Sequence, residues 1–308
     1  MSIEQENLEK AIKYLKQYNE TPIERNECPL CNNKKYILKN EYSIDELIKK
    51  WCEKYSFNPF SACYEGKILE RRVCTKCGTN YYNYFVPDTE EFYEELTELH
   101  PIYSKNKWDY DKALIIVQKY SPNSILDIGC GYGYFIEKIK NATDLAEGTE
   151  FNPKAYKACK EKNINVYNID LSQIQQKYDL ITCFQVLEHI RKPDEFIKNA
   201  ISLLNKNGLL LFITPNPNSE LIKYEPGILE LPPHHNLDIS KKTYEFIAKE
   251  FDLEILEYEE QELLINDYRI YLRNKFKINL DKNTAYPLYI NEKNNLIGKS
   301  HLVLYKKK

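Results

Sequence analysis

From residue 124 onward the chain alternates short apolar runs with stretches whose apolar positions recur every three or four residues. Segments 124–128, one ending at Glu150, one ending at Asp170, 178–184 and 208–214 read as five strands, with a helix over 134–140 after the first. Segments 253–258 and 301–305 read as a sixth and a seventh. Buried strands separated by helices predict a parallel sheet covered on both faces. Upstream, 108–120 and 90–99 carry helical spacing, the latter broken by His100-Pro101. A further helix is predicted over 3–18 (Leu8, Ala11, Ile12, Leu15), stopping before Thr21-Pro22. Between these, 34–38, 67–73 and 81–86 read as short hairpin strands, with a helix at 44–55. The strands hold few apolar residues, too few for a core of their own.

Cysteine spacing changes that picture. Of nine cysteines, four form two C-x2-C pairs, Cys28-Pro-Leu-Cys31 and Cys74-Thr-Lys-Cys77. Each pair sets two thiolates on one turn, half of a tetrahedral zinc site, and four thiolates close the coordination sphere as structural zinc does. Metal binding then contributes folding energy to the sparse hairpins. The intervening residues 32–73 exceed an ordinary ribbon spacing and read as a helical insertion. A redox dithiol would need a thioredoxin-like setting that is absent. Cys52, Cys63, Cys130, Cys159 and Cys183 read as small buried side chains. The chain thus divides into an N-terminal packing helix (1–25), a zinc-ribbon-like unit (26–88), a helical connector (89–123) and an α/β domain (124–308).

Length and charge add bounds. A chain of 308 residues suits about two domains. Its 43 Lys and Arg against 46 Asp and Glu give a net charge of −3, which argues against nucleic-acid binding by bulk charge. No apolar run approaches a membrane span and the first ten residues lack a secretory pattern, so the expected location is cytoplasmic.

The chemistry gathers where the strands end, because in open α/β sheets ligands bind in the crevice at the carboxyl ends. After the first strand comes Gly129-Cys-Gly-Tyr-Gly133, whose bare backbone can turn sharply and approach a ligand at a helix start. Position 134, where a dinucleotide fingerprint puts its third glycine, is Tyr, which weighs against NAD. Glu150, about twenty residues on, suits two ribose hydroxyls, and Asp170 offers an acceptor for an adenine amine. Either acid alone also reads as a helix N-cap or a solvated loop residue.

ILDIGCGYGYF, the acidic ends at Glu150 and Asp170, YDLITCFQVLEHI and GLLLFITPNP together resemble class I S-adenosylmethionine-dependent methyltransferases, over roughly residues 100–308. Pro232-Pro233-His234-His235 after the fifth strand, with CPLC and CTKCG near the N-terminus, is similar to zinc-ribbon methyltransferases that tailor bacterial glycans or metabolites. The resemblance implies a Rossmann-like seven-stranded, mostly parallel sheet beside a small zinc-ribbon domain. It implies that Asp127, Gly129, Gly131 and Gly133 surround the methionine part of S-adenosyl-L-methionine, Glu150 the ribose, Asp170 and Leu171 the adenine, and Gln185 the amino group. Residues 261–299 interrupt the expected return from sixth to seventh strand and read as a long loop acting as a cap or oligomer contact.

A methyl acceptor that is a hydroxyl must lose its proton, which suits a histidine. His235 is the expected general base, with His234 and His189 as alternates, although no metal or acid partner is evident for any of them. Loop orientation by hydrogen bonding is the competing role. Tyr103 and Trp108 read as core packing or as walls of the donor pocket. The expected partner is a small-molecule acceptor, a nucleotide-linked sugar or glycan phosphate group among the candidates. Two rivals remain: an RNA methyltransferase with Lys34-Lys35 and Arg71-Arg72 as basic contacts, and a non-catalytic zinc-and-nucleotide-binding scaffold. The C-terminal Lys306-Lys307-Lys308 reads as a solvated tail.

Overall fold

The computed structural model describes residues 21–87, 89–99, 104–224 and 227–308. The helix expected at 3–18, His100 and Tyr103 lie outside the described residues. The N-terminal part contains β1 (Ile23–Glu24), β2 (Tyr36–Ser43), β3 (Ile68–Cys74), β4 (Asn80–Tyr82) and β5 (Tyr84–Phe85). The remainder contains β6 (Ser124–Ile128), β7 (Leu145–Thr149), β8 (Asn165–Tyr167), β9 (Tyr178–Phe184), β10 (Leu204–Pro215), β11 (Leu237–Asp238), β12 (Leu253–Glu262) and β13 (Ile297–Lys307).

Seven strands form one sheet in the order β12-β13-β10-β9-β6-β7-β8. Neighbours from β10 through β8 pair in parallel, and β13 runs antiparallel to both β10 and β12, so the sheet is mixed. Alternate residues serve opposite faces, as the strand period requires. Leu126, Ile128, Ile181, Leu210, Phe212, Val303 and Tyr305 pack with the helices Pro193–Ser202 and Lys241–Glu250 on one side. Ile125, Leu180, Leu211, Ile213 and Leu304 pack with Trp108–Tyr120 and Tyr134–Ile139 on the other. Those two helices begin as the periodicity indicates, and Trp108 packs at the margin of this second cluster.

Several boundaries differ from the sequence reading. The third strand ends at Tyr167, because Asp170 instead caps the single turn Leu171–Gln173. The fifth begins at Leu204, with a register shift before Leu209. The last strand runs through Lys306 and Lys307, and Lys307 Nζ donates to the carbonyls of Ile201 and Leu204, both at 3.0 Å. These lysines are therefore not a free tail. The long loop expected over 261–299 is instead two helices, Ile265–Phe276 and Lys282–Glu292, flanked by strand ends. They share a small core of Leu263, Tyr268, Tyr271, Leu272 and Ala285.

The N-terminal hairpins also have more apolar support than their strands suggest. The helix Ile44–Tyr55, capped by Ser43, turns Ile44, Leu47, Trp51 and Tyr55 to one side. These meet Phe60, Tyr64, Leu69, Tyr82, Val86, Phe92 and Leu96 in one cluster, closed by Ile228 and Leu231 from the α/β part. The apolar side chains lie in the insertion and the connector, where counting strand by strand misses them.

Two sheets are joined by β11, which adds to β4 and completes a four-stranded sheet ordered β11-β4-β3-β2. At that seam Arg71 Nη2 and Nε donate to Asp238 Oδ2 at 2.7 and 3.0 Å, and both side chains are largely buried. Removing one member leaves the other charge buried without its counterion. Asp238→Ala should therefore lower unfolding stability by about 3–5 kcal/mol in urea titration, whereas Arg71→Met with Asp238→Leu should recover most of it.

Candidate active site

Three glycines after β6 adopt left-handed backbone, with φ of 71°, 55° and 72° at Gly129, Gly131 and Gly133. A side chain at Gly129 would meet Val186 Cγ2 at 2.5 Å, and one at Gly133 would meet Ile164 Cδ1 at 2.3 Å. The loop is folded onto the end of β7: Cys130 N donates to Thr149 O at 2.9 Å and Gly131 N to Glu150 Oε2 at 2.7 Å. Glu150 Oε1 also accepts from Asn152 N at 2.7 Å, so this carboxylate is oriented by backbone amides on both oxygens. Burial, opposed by those amides, raises its pKa.

Asp127, at the end of β6, accepts from Thr182 Oγ1 at 2.8 Å, and burial pushes its pKa up to about 7. Asp170 is exposed, and its Oδ1 accepts from Ser172 N at 2.8 Å and Ser172 Oγ at 2.5 Å. Those bonds hold its pKa low, and the capping role is the one the residue fills here. Leu171 beside it is buried. Gln185 follows β9 with φ 55°, bonded through its N–H to Ile213 O at 2.8 Å. Its Nε2 donates to Asp109 Oδ2 at 3.2 Å and Ser300 Oγ at 3.3 Å. The sequence reading missed Asp109 and Ser300. Asp109 lies in the first turn of a helix, where an acid ordinarily looks like dipole compensation, and Ser300 arrives from the last strand.

The three histidines named from sequence come together. His189 closes the single turn Leu187–His189 after β9, and His234 and His235 follow the Pro232–Pro233 pair. Ring centroids are 4.4 Å apart for His234 and His235, 4.9 Å for His189 and His234, and 5.1 Å for His189 and His235. The loops are tied by Asn236, whose N–H donates to Glu188 O at 3.0 Å. Its side chain accepts from Val86 N at 3.0 Å and donates to Val86 O at 2.9 Å and to Pro233 O at 3.0 Å.

Acid partners absent from the sequence reading are present. Glu230 Oε2 lies 3.2 Å from His235 Nδ1, and Glu188 Oε1 lies 3.9 Å from His189 Nε2. Burial raises both carboxyls to about 7. Glu188 stands in the LEH motif itself, a signal that was available. His301 sits apart, between Thr214 Oγ1 and Tyr258 OH, and burial lowers its pKa to about 3, which keeps it neutral.

The four paired cysteines also converge, with Sγ atoms of Cys28 and Cys77, and of Cys31 and Cys74, 3.5 Å apart. All four sulfurs lie within 4.8 Å of one another. Of the other five, Cys130, Cys159 and Cys183 are buried as expected, whereas Cys52 is exposed and Cys63 is half-buried against the Trp51 cluster. Arg71 and Arg72, the basic contacts of the RNA alternative, are turned inward: Arg71 pairs with Asp238, and Arg72 bonds Glu70 Oε2 at 2.8 Å and Arg25 O at 3.0 Å.

A glycine-rich turn, an acid on the next strand end and a glutamine after the fourth strand thus lie at the carboxyl ends of the parallel strands of one α/β sheet. Residues 107–258 match the family model described as a methyltransferase domain. This part of the chain is a class I S-adenosylmethionine-dependent methyltransferase domain. Among curated proteins, the ubiquinone biosynthesis O-methyltransferase of Coxiella burnetii is 31% identical over 109 residues, covering 32% of this chain and 47% of that protein. That of Nitrosomonas europaea is 25% identical over 138 residues, covering 42% and 59%. The chain thus spans about half the length of the curated relatives it matches. A putative methyltransferase structure from Bacillus halodurans is similar at a TM-score of 0.47 and 17% identity, covering 65% of this chain and 99% of that one.

Asp127 gives the site a pH signature. Its folded pKa is raised above the unfolded value near 3.8, so its contribution to stability is intact below about pH 4 and is lost as pH rises through about 7. Asp127→Asn should flatten that part of the decline, by about 1–4 kcal/mol between pH 4 and 8, in urea titrations across pH without added ligand.

Proposed function

We propose that the chain transfers a methyl group from S-adenosyl-L-methionine to a hydroxyl of a small-molecule acceptor, in the cytoplasm. The convergence of the glycine loop, Glu150 and Gln185 on one edge of the seven-stranded sheet carries this reading. The cradle fits such a donor, because Gly129 and Gly133 let the turn pack tightly against Val186 and Ile164 and Glu150 is a fixed acceptor beside it. Bound there, the donor supplies a methyl on a positive sulfur. Asp127 and the backbone of Gly129, Gly131 and Gly133 would surround its methionine part, Gln185 its amino group, Glu150 its ribose, and Asp170 with Leu171 its adenine.

On the acceptor side, His235 would take the hydroxyl proton, with His234 and His189 as alternates. Glu230 Oε2 lies 3.2 Å from His235 Nδ1, where a carboxyl can orient the ring. The curated relatives named as O-methyltransferases favour an oxygen acceptor. The PPHH segment and the cysteine pairs favour a sugar-linked or glycan phosphate-linked one. Among the described residues no helix is long and apolar enough to cross a membrane.

Cys28, Cys31, Cys74 and Cys77 would hold a structural zinc. Four bonds of about 2.3 Å in a tetrahedron set sulfurs about 3.8 Å apart, close to the spacings here. Cys28, Cys74 and Cys77 are buried in the same cluster as Tyr81, Leu237 and Ile239, so the ion would fasten the N-terminal unit to the α/β layer.

Calorimetry with S-adenosylmethionine should give saturable binding that Gly131→Val abolishes, and unchanged affinity in that variant would refute the pocket. His235→Ala should bind the donor normally and turn over about 100-fold more slowly or worse, read by mass spectrometry of methylated nucleotide-linked sugars. Cys74→Ser should lose one equivalent of zinc by elemental analysis and unfold at lower temperature.

A further inference from the structure

A base needs one histidine, whereas this fold gathers three, with a ring nitrogen of each lying within 4.8 Å of the others. The convergence is built from two loops that the Asn236 N–H to Glu188 O bond holds in register. Each ring also turns its Nδ1 toward another protein group. His234 Nδ1 lies 2.8 Å from Leu229 O, and a carbonyl only accepts, so that nitrogen carries the proton and Nε2 keeps its lone pair. His189 Nδ1 is 3.2 Å from Tyr93 OH, and His235 Nδ1 is 3.2 Å from Glu230 Oε2. His189 and His234 are thus held at Nδ1 by an oxygen, the arrangement that orients metal-ligating histidines.

A second observation points the same way. Glu188 is fully buried, and among the described residues neither of its carboxylate oxygens has a hydrogen-bond partner. A buried carboxyl without a donor is costly unless a cation or proton compensates it. Its Oε1 lies 3.9 Å from His189 Nε2.

We propose that His189, His234 and His235 form a site for a divalent transition-metal ion separate from the four-cysteine cluster, with the buried Glu188 carboxylate beside His189 supplying a compensating negative charge. Three imidazoles suit Zn2+, Co2+ or Fe2+ better than Mg2+ or Ca2+, which take all-oxygen sets. The ion would anchor an acceptor oxygen and lower the pKa of a hydroxyl bound to it. This refines the acceptor side of the methyl-transfer reading, since the three rings then act together through an ion and His235 does not act alone as base. It rests on that reading for the acceptor's role, while the ion site itself does not.

The test is metal stoichiometry on the full chain after chelation, titrated with Cd2+ and followed by cadmium-113 NMR, which separates thiolate-bound from nitrogen-bound and oxygen-bound metal. Wild type should show an imidazole-type signal in addition to the thiolate signal. His189→Ala with His235→Ala should lose only the former, and Glu188→Gln, which removes a buried charge and keeps the shape, should weaken it at least about tenfold. Absence of the imidazole-type signal in wild type, or its persistence in the double variant, overturns the site. Donor calorimetry on the same samples separates the two readings: S-adenosylmethionine binding without the second ion sinks only the metal site, and the ion without donor binding sinks only the methyl-transfer reading.

Discussion

One buried amide fixes the geometry on which the rest depends. Asn236 is fully enclosed, and its side chain accepts from Val86 N and donates to Val86 O on one side and to Pro233 O on the other. Its own N–H reaches Glu188 O, and its carbonyl accepts from Arg25 Nη1 at 3.2 Å. A buried polar group has few alternative partners, so such a network tolerates one arrangement and penalises the others. Through it the loop that follows β10, the turn that follows β9 and the N-terminal unit share one position. The histidine cluster is a result of that constraint.

Much of this architecture was legible along the chain. The spans of β6 and β9, and of the helices Ile44–Tyr55 and Trp108–Tyr120, follow from apolar periodicity bounded by clear stop signals such as Ser121-Pro122. The glycine loop and Glu150 were legible because their spacing reflects backbone requirements that tertiary context leaves intact. What escaped were relationships between distant segments. Glu230 lies five residues before His235 and looks like an ordinary surface acid until the loop folds back on itself. Asp109 and Ser300 reach Gln185 from opposite parts of the chain. The two helices between β12 and β13 have weak helical patterning, since Tyr268, Tyr271, Leu272 and Ala285 share a small core while Phe276, Tyr286, Leu288 and Ile290 stay exposed.

The N-terminal unit is stabilised by two unlike terms. Burial of Trp51 with its ring neighbours Tyr55, Phe57 and Phe92, at centroid distances of 5.1 to 5.5 Å, gives it an apolar centre. The cysteine cluster lies instead against the α/β layer, among Leu237, Ile239 and Tyr244. One term makes the unit cohere and the other attaches it, and Ser240, which caps the helix Lys241–Glu250, adds a bond to Gly78 O at 3.1 Å beside the second cysteine pair.

The strand β11 has a consequence for the order of events on the ribosome. The small sheet of β2, β3 and β4 receives its outer member only from residues that are translated after most of the methyltransferase strands. Until Asp238 emerges, the edge of β4 is unpaired and Arg71 lacks its counterion. Vectorial synthesis therefore leaves the first-made segment incomplete while the later one assembles, so the two mature together rather than one after the other.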